Sequence, residues 1–187
     1  MVAVVLLALD QVSKVAAVAG LTPGRPRELV GSLLRLNLTR NPGAAFSTGT
    51  SHTALFTALA IAAAVVTVWF AFRAGSRSWA VALGFLFAGV VGNLVDRVAR
   101  APRTFHGYVV DFLELPHWPI FNVADVCITI AAVLILVLAY RGVPLSGAPA
   151  GRPDRDADRD ADRDADVRTA PTADAGADGR AEPEDRP

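Results

Sequence analysis

The sequence predicts a membrane protein that is mainly α-helical, with four transmembrane helices, a small extracytoplasmic β element and a disordered C-terminal tail. Three observations lead to this prediction: long apolar stretches without charge, one short stretch of alternating apolar and polar residues, and an abrupt change of composition after Arg141. The 187 residues are 52% hydrophobic and carry a formal net charge of zero, so the distribution of residues along the chain decides the class.

Apolar stretches without charge mark the predicted membrane spans, since a helix that crosses a bilayer needs about 20 apolar residues. Three of them cover residues 54–72, 79–95 and 126–140, the last one lengthened by FNVAD at its start. The first predicted span, Val2 to Leu21, is weaker because polar residues interrupt it, namely Asp10, Gln11, Ser13 and Lys14. No basic residue precedes Asp10, so we expect this helix to be retained rather than cleaved as a signal peptide.

A polar segment, residues 22–52, separates the first two predicted spans. Within it, residues 34–39 alternate between apolar and polar side chains, the period of a strand with one buried face. The sequence TRNPG that follows is typical of a turn. We therefore expect a small β element outside the membrane here, and a long connecting loop at residues 98–121.

Basic residues predict the orientation, because short cytoplasmic loops carry an excess of lysine and arginine. Arg73 and Arg77 flank the second loop and Arg141 follows the last span, which puts both chain termini in the cytoplasm. The first loop opposes this pattern with basic residues of its own, namely Arg25, Arg27, Arg35 and Arg40. With this orientation Asp111 and Asp125 would face the extracytoplasmic side.

The chain after Arg141 predicts a second region, residues 142–187, that is disordered and cytoplasmic. It contains the repeat DRDADRDADRDAD followed by a stretch rich in proline, alanine and aspartate. Such a composition cannot bury enough apolar surface to offset the entropy lost on ordering. We expect residues 1–141 to form the membrane domain and the tail to be a dispensable extension.

Two aspartates beside apolar sequence, Asp111 in VVDF and Asp125 in FNVAD, are the leading functional candidates. A carboxylate in or near hydrocarbon is expensive, so its default interpretation is a functional site with a nearby partner. For Asp125 a structural role is equally open, because Asn122 three residues earlier could be the N-cap of a helix with Asp125 completing a capping pattern. Asp111 does not open a helix, so capping does not explain it.

Other polar residues within the spans have structural interpretations that we prefer. Asp10 and Lys14 stand four apart in the order that favours a helix ion pair. For Asp96 and Arg97, at the end of the third span, we prefer a helix-end ion pair or interhelical hydrogen bonding to a catalytic role. In the same span, small residues allow a neighbouring helix to approach closely, namely Gly84, Ala88, Gly89 and Gly92.

The sequence predicts neither a metal site nor a cofactor. His52, His106 and His117 share no ligand spacing, and the single cysteine, Cys127, lies in an apolar helix where we expect a buried, inert thiol. No serine or cysteine nucleophile motif appears.

If Asp111 and Asp125 lie close together, they cannot both ionise easily and can share a proton. One carboxylate then accepts a proton from water while the other donates one to a scissile carbonyl oxygen, which is acid-base peptide hydrolysis. Two rivals remain: an ion or proton transporter that uses Asp10, Asp111 and Asp125 as a relay, and a membrane scaffold whose acids only cap helices. No inverted repeat favours the transporter.

Five motifs together resemble the lipoprotein signal peptidases, the signal peptidase II family of bacterial membrane aspartyl proteases. They occur in the family's order over residues 2–141: DQVSK at 10–14, TRNPGAAF at 39–46, GNLVDR at 92–97, GYVVDF at 107–112 and FNVAD at 121–125. The resemblance implies four transmembrane helices, an extracytoplasmic β-cradle and catalysis by Asp111 and Asp125. It also implies cleavage of diacylglyceryl-modified prolipoproteins immediately before the lipidated cysteine.

The same resemblance extends to other site residues and to the surroundings of the protein. Residues expected to position the substrate or support the two aspartates are Asn41, Asn93, Arg97 and Asn122, with Asp10 and Lys14 in a supporting role. The implied location is the bacterial plasma membrane, with the active site on the extracytoplasmic side. We expect a monomer that contacts prolipoprotein and membrane lipid but no nucleic acid.

Overall fold

A computed structural model describes residues 1–43, 53–102 and 104–147 of the chain. In order, its elements are α1 (Val2–Gly20), β1 (Arg27–Val30), β2 (Leu34–Asn41), α2 (Thr53–Arg73), α3 (Arg77–Ala99), β3 (Val109–Glu114) and α4 (Val123–Tyr140). All four helices are long and apolar enough to cross a membrane. The predicted class of four apolar helices with a small β element is confirmed.

Helix α1 continues through the polar residues that made it the weakest predicted span. Asp10, Lys14 and Ala17 are its buried residues, at the spacing of one helix face. Apolar residues of the same helix are exposed, among them Val4 and Leu9. The helix therefore directs its charges toward the interior of the protein and its apolar surface outward.

The β element is a three-stranded antiparallel sheet in the order β1-β2-β3. Strand β2 lies where the alternating pattern predicted a strand, but β3 lies within the predicted loop at residues 98–121. The first four residues of β3, from Val109 to Phe112, are all buried, so this strand lacks the alternation that marks a half-exposed strand. In the sheet, Thr39 of β2 is paired with Asp111 of β3.

Helix α3 contacts each of the other three helices. A Cβ atom on Gly89 would lie 2.5 Å from the carbonyl oxygen of Ala124 in α4. A Cβ atom on Gly92 would lie 2.6 Å from Oδ2 of Asp10 in α1. The packing role predicted for these glycines is confirmed, and it brings α1 and α4 against the same end of α3.

Some predictions fall outside the described residues. These are the last part of the predicted β element and of the TRNPGAAF motif, residues 44–52, and the predicted tail from residue 148 onward. The first part of that predicted tail, residues 142–147, contacts the turn between α2 and α3 and the first turn of α3. There, Trp79 Nε1 donates a 2.8 Å hydrogen bond to the carbonyl oxygen of Val143, and the Gly75 amide donates a 2.9 Å hydrogen bond to that of Leu145.

Candidate active site

Asp111 lies in β3 with its side chain buried and both carboxylate oxygens hydrogen-bonded. It is 2% exposed. Asn122 Nδ2 donates to Oδ1 at 2.6 Å, and Asn41 Nδ2 donates to Oδ2 at 2.9 Å. The amide of Gly43 donates to Asn41 Oδ1 at 2.8 Å, which fixes the orientation of that asparagine. The last residue of β2 therefore supplies a donor that faces Asp111, and the turn after β2 holds that donor in place.

Asp125 lies in the first turn of α4 and accepts hydrogen bonds on both oxygens as well. Asn93 Nδ2 donates to Oδ1 at 2.9 Å, and the backbone amide of Asn122 donates to Oδ2 at 3.1 Å. The Asn122 side chain in turn accepts from the Asp125 amide at 3.1 Å, so the two residues form a capping box. The predicted capping role of Asp125 is confirmed, and it coexists with the contact to Asn93.

Asn122 joins the two aspartates although they come from different elements. Its fully buried side chain donates to Asp111 and, at 3.1 Å, to Asn93 Oδ1. Asn93 in turn donates to Asp125. The two carboxylates therefore share one network of asparagine amides. Sequence alone leaves open whether Asp111 and Asp125 belong to the same site, and this network connects them.

The environments of the two carboxyl groups differ. Asp111 is buried, and burial, reinforced by the negative charge of Asp125, raises its pKa to about 6. The hydrogen bonds from Asn41 and Asn122 and the charge of Lys14 limit this rise. Asp125 is only partly buried and borders a largely apolar hollow of about 240 Å³. The other residues that line the hollow are Trp118, Phe121, Val126, Thr129 and Ile130.

A buried ionic cluster lies behind the asparagine network. Lys14 Nζ is 3.0 Å from Asp10 Oδ2 and 2.8 Å from Asp96 Oδ2, and the side chains of all three residues are almost completely buried. The predicted pair of Asp10 with Lys14 is confirmed. Asp10 Oδ1 also accepts the amide of Ala124 at 2.9 Å, so a residue of α1 caps the first turn of α4.

An ion pair between Asp96 and Arg97 is not formed, whereas the alternative of an interhelical contact is confirmed for Asp96. Asp96 is paired with Lys14 and, at 2.5 Å, with Arg100 Nε. Adjacent helical residues point about 100° apart, so Asp96 faces α1 while Arg97 faces the predicted pair of aspartates. The pattern indicated a structural role for Asp96 but did not identify its partner.

Arg97 has a donor atom, Nη1, that is shielded from solvent and has no acceptor in the described part of the chain. The guanidinium group lies 5.9 Å from the ring centroid of Phe56, and its charge interacts with those of Asp111 and Asp125. A partly buried cation near two carboxylates, with a shielded donor that no described residue satisfies, could bind an acceptor on a ligand.

The structure brings the predicted site residues into one cluster. Hydrogen bonds and ion pairs connect Asn41, Asp111, Asn122, Asn93, Asp125, Lys14 and Asp10, and Arg97 lies beside them. Sequence reasoning omitted Asp96 from this cluster, although the GNLVDR motif contains it. It also omitted Gln11, whose Nε2 donates 3.0 Å hydrogen bonds to Asp10 Oδ2 and to the carbonyl oxygen of Gly92.

Acidic, histidine and cysteine side chains in the described ranges do not gather in groups of three or more that could hold a metal ion. Cys127 is buried, as predicted. The chemistry that the described residues offer is that of two carboxyl groups in a shared hydrogen-bond network.

Curated relatives of this chain are lipoprotein signal peptidases. The relative from Rhodococcus jostii is 44% identical over 150 residues, which cover 80% of this chain and 76% of the relative. The relative from Mycobacterium tuberculosis is 45% identical over 141 residues, covering 75% and 70% respectively. That from Mycobacterium avium is 46% identical over 141 residues, covering 75% and 78%. A transporter finds no support in these comparisons.

Solved structures and a family model agree with the relatives. Two structures described as bacterial membrane enzymes solved by the in meso method are similar to this chain. The first has a TM-score of 0.68 and 29% identity, over 81% of this chain and 91% of that structure. The second has a TM-score of 0.66 and 30% identity, over 74% and 89%. The family model described as signal peptidase (SPase) II matches residues 2–141. The chain therefore belongs to the signal peptidase II family, bacterial aspartic peptidases of the membrane that remove signal peptides from prolipoproteins.

Proposed function

We propose that Asp111 and Asp125 are the catalytic pair and that the substrate is a diacylglyceryl-modified prolipoprotein, cut immediately before its lipidated cysteine. The observation that carries this assignment is the Asn122 side chain, which donates to Asp111 and caps the helix turn that holds Asp125. A residue that only caps a helix does not need a hydrogen bond to a second carboxylate. Asn122 Nδ2 nevertheless lies 2.6 Å from Asp111 Oδ1. The arrangement thus supports a role beyond helix stability.

The two carboxyl groups divide the proton transfers between them. Burial raises the pKa of Asp111 to about 6, so Asp111 holds a proton at a pH where an ordinary aspartate is ionised. Ionised Asp125, at the edge of the hollow, takes a proton from water as the water oxygen bonds to the scissile carbonyl carbon. Asp111 gives its proton to the carbonyl oxygen, which produces a neutral tetrahedral intermediate.

Collapse of the intermediate restores both groups. The carbon–nitrogen bond breaks as Asp125 returns its proton to the leaving nitrogen. One hydroxyl of the intermediate gives its proton back to Asp111 as the carboxyl product forms. Each carboxyl group ends in its starting state, and the cycle consumes one water molecule.

The surroundings support a lipid-linked substrate. The hollow beside Asp125 is lined mainly by apolar side chains and continues along α4, one of the helices that could cross a membrane. A substrate held in the bilayer by acyl chains could reach Asp125 along this surface without leaving the lipid. In this proposal Arg97, Asn41, Asn93 and Asn122 position the substrate or the carboxyl groups, while Asp10 and Lys14 support the site from behind.

Purified protein in detergent, incubated with a diacylated prolipoprotein, tests the assignment. We expect Asp111→Asn and Asp125→Asn each to lower cleavage by at least about 100-fold, because each removes one proton-transfer group. Glu114→Gln is the matched control, since Glu114 lies in the same strand and pairs with Arg35 away from the site. Wild-type rates in either aspartate variant would refute the assignment of the catalytic pair. An inactive wild type would favour the rival hypothesis of a membrane scaffold without catalysis.

The proposed orientation places the sheet and both aspartates outside the cytoplasm. Two conservative variants, Ser32→Cys between β1 and β2 and Ser78→Cys near the start of α3, report on opposite sides, and Cys127 is buried. An impermeant maleimide should label Ser32→Cys in intact spheroplasts and label Ser78→Cys only after lysis. The reverse pattern would overturn the orientation. Crosslinking in native membranes would test the proposed monomer.

A further inference from the structure

The amide of Asn93 can point either way unless its surroundings choose for it. Lys14 Nζ lies 2.9 Å from Asn93 Oδ1. An ammonium group donates hydrogen bonds and accepts none, so it requires the oxygen of Asn93 on its side. The nitrogen of the same amide is thereby directed to Asp125, 2.9 Å away.

The other two asparagines of the network are oriented by their own local backbone. The amide of Gly43 fixes the oxygen of Asn41, and the amide of Asp125 fixes that of Asn122. Asn93 differs because the group that orients it comes from another helix and carries a full charge. Asn122 Nδ2 also donates to Asn93 Oδ1, but it carries no charge and the bond is longer, at 3.1 Å, so Lys14 is the stronger of the two orienting groups.

Lys14 itself is held in place by a balanced set of charges. Asp10 and Asp96 contact it, and Arg100 contacts Asp96, so two cations face two anions. A buried ammonium between two carboxylates has little freedom to move. Its remaining contact is directed to the end of α3 that carries Asn93, since the carbonyl oxygen of Gly92 also lies 3.5 Å from Nζ.

We propose that Lys14 is a positioning residue for Asp125, which it serves by fixing the amide of Asn93 with the nitrogen toward the carboxylate. A reversed amide would place an oxygen against Asp125 Oδ1. Two acceptors at that distance repel unless one carries a proton, so the reversal would disfavour the ionised form that accepts a proton from water. This inference rests on the proposed function of Asp125.

A mutant cycle between the ionic pair and Asn93 tests the inference. The variant Asp10→Asn/Lys14→Met removes one positive and one negative charge together, and the asparagine oxygen still accepts the Ala124 amide. We expect kcat to fall by about 100-fold with KM changed less than about threefold, because misplacing a catalytic group has an effect of this size. The triple variant that also carries Asn93→Ala should have a kcat no lower than that of Asn93→Ala alone, since Lys14 acts through Asn93.

Arg100→Met is the matched control. It disturbs the same ionic cluster at Asp96 but leaves the contact between Lys14 and Asn93 in place. We expect a lower thermal unfolding temperature with kcat within about threefold of wild type, as a structural contribution alone would give. A loss of kcat in this control as large as in the paired variant would assign the effect to the stability of the cluster and overturn the inference.

The outcomes separate the inference from the proposed function. Multiplicative losses of kcat in the cycle, or a paired variant with near wild-type kcat, would overturn the role of Lys14. The catalytic pair would still be upheld if wild type cleaves the substrate and Asp125→Asn does not. If the paired variant fails to fold by gel filtration, Asp10→Asn/Lys14→Leu takes its place, since leucine also has no donor for Asn93. Failure of both to fold would assign Lys14 to stability alone and refute the inference.

Discussion

The side chain of Asn122 donates a 2.6 Å hydrogen bond to Asp111, and the same side chain is the N-cap of α4. One residue thus serves the strand that carries one aspartate and the helix that carries the other. Helix capping and the geometry of the proposed catalytic pair are consequently the same set of contacts. A change at this position can separate the two roles if it keeps the cap and removes the donor.

Asn122→Ser makes that separation. Serine is as good an N-cap as asparagine, but its hydroxyl is too short to keep the amide contacts with Asp111 and Asn93. We expect cleavage to fall by about 10- to 100-fold, because Asp111 becomes charged as it gives up its proton and a hydrogen bond to that charge is lost. Asn122→Ala should lose the cap as well and unfold at a lower temperature than Asn122→Ser. Equal cleavage by Asn122→Ser and wild type would show that the contact with Asp111 is dispensable.

Folding stability should depend on pH through Asp111. Its pKa in the folded protein is about 6 against an ordinary value of 3.8, so folding favours the protonated form. The stability associated with that proton is present in full below about pH 4 and is lost as the pH rises through 6. The difference corresponds to on the order of 3 kcal/mol.

Thermal unfolding of wild type and Asp111→Asn between pH 4 and 7.5 measures this effect. Asparagine does not titrate, so the variant should lose less stability than wild type as the pH rises. The comparison uses the change across the pH range, because the variant also alters the hydrogen bonds from Asn41 and Asn122. Parallel curves for the two proteins would contradict a raised pKa at Asp111.

Much of this architecture follows from local sequence. Three helices are uncharged over most of their length, and β2 shows regular alternation, so both kinds of element were predicted close to their observed bounds. Strand β3 was not predicted because its first four residues are buried on both faces, which removes the periodic signal. Its partner strand, β2, is distant in the sequence. Asn41 of β2 and Asp111 of β3 are 70 residues apart, so no local pattern connects the two strands.

The sequence predicts which residues form the site better than it predicts which of them are in contact. The motifs identified the residues of the cluster, yet they leave open whether Asp96 pairs with Arg97 or with another helix. Helical spacing shows which residues share a face but not which other helix covers that face. Lys14 of α1 occupies the side of α3 where Asp96 points, and only the packing of the two helices reveals this pair.

Arg97 and Arg100 are predicted to have opposite effects when they are replaced. Arg97 keeps a buried donor that no described residue satisfies, whereas Arg100 is paired with Asp96. Arg97→Met should lower kcat/KM by about 10- to 100-fold, since a charge-assisted hydrogen bond to substrate would be lost. Its unfolding temperature should stay within a few degrees of wild type, unlike that of Arg100→Met. Wild-type cleavage by Arg97→Met would exclude a role in substrate binding.

The region after α4 should contribute to stability only through residues 142–147. Removal of residues 148–187 should leave both cleavage and unfolding temperature unchanged, as expected if residues 1–141 form the peptidase domain. Removal of residues 142–187 also deletes the acceptors for Trp79 and Gly75, so we expect a lower unfolding temperature. Loss of cleavage by the shorter deletion, in folded and membrane-inserted protein, would show that the tail takes part in function.

Glycine at position 92 is required by the close approach of three helices around the site. A Cβ atom there would lie 2.6 Å from Asp10 Oδ2 and 3.2 Å from the Cβ of Ala124, both parts of the support behind Asp125. Gly92→Ala should therefore destabilise the protein by about 1–3 kcal/mol and lower cleavage, because it displaces Asp10 and the first turn of α4. Gly84→Ala in the same helix is the control, since its nearest neighbour would be 3.6 Å away. Unfolding temperature and kcat, measured for both variants, should change only for Gly92→Ala, and equal behaviour of the two would contradict the tight packing around Asp10.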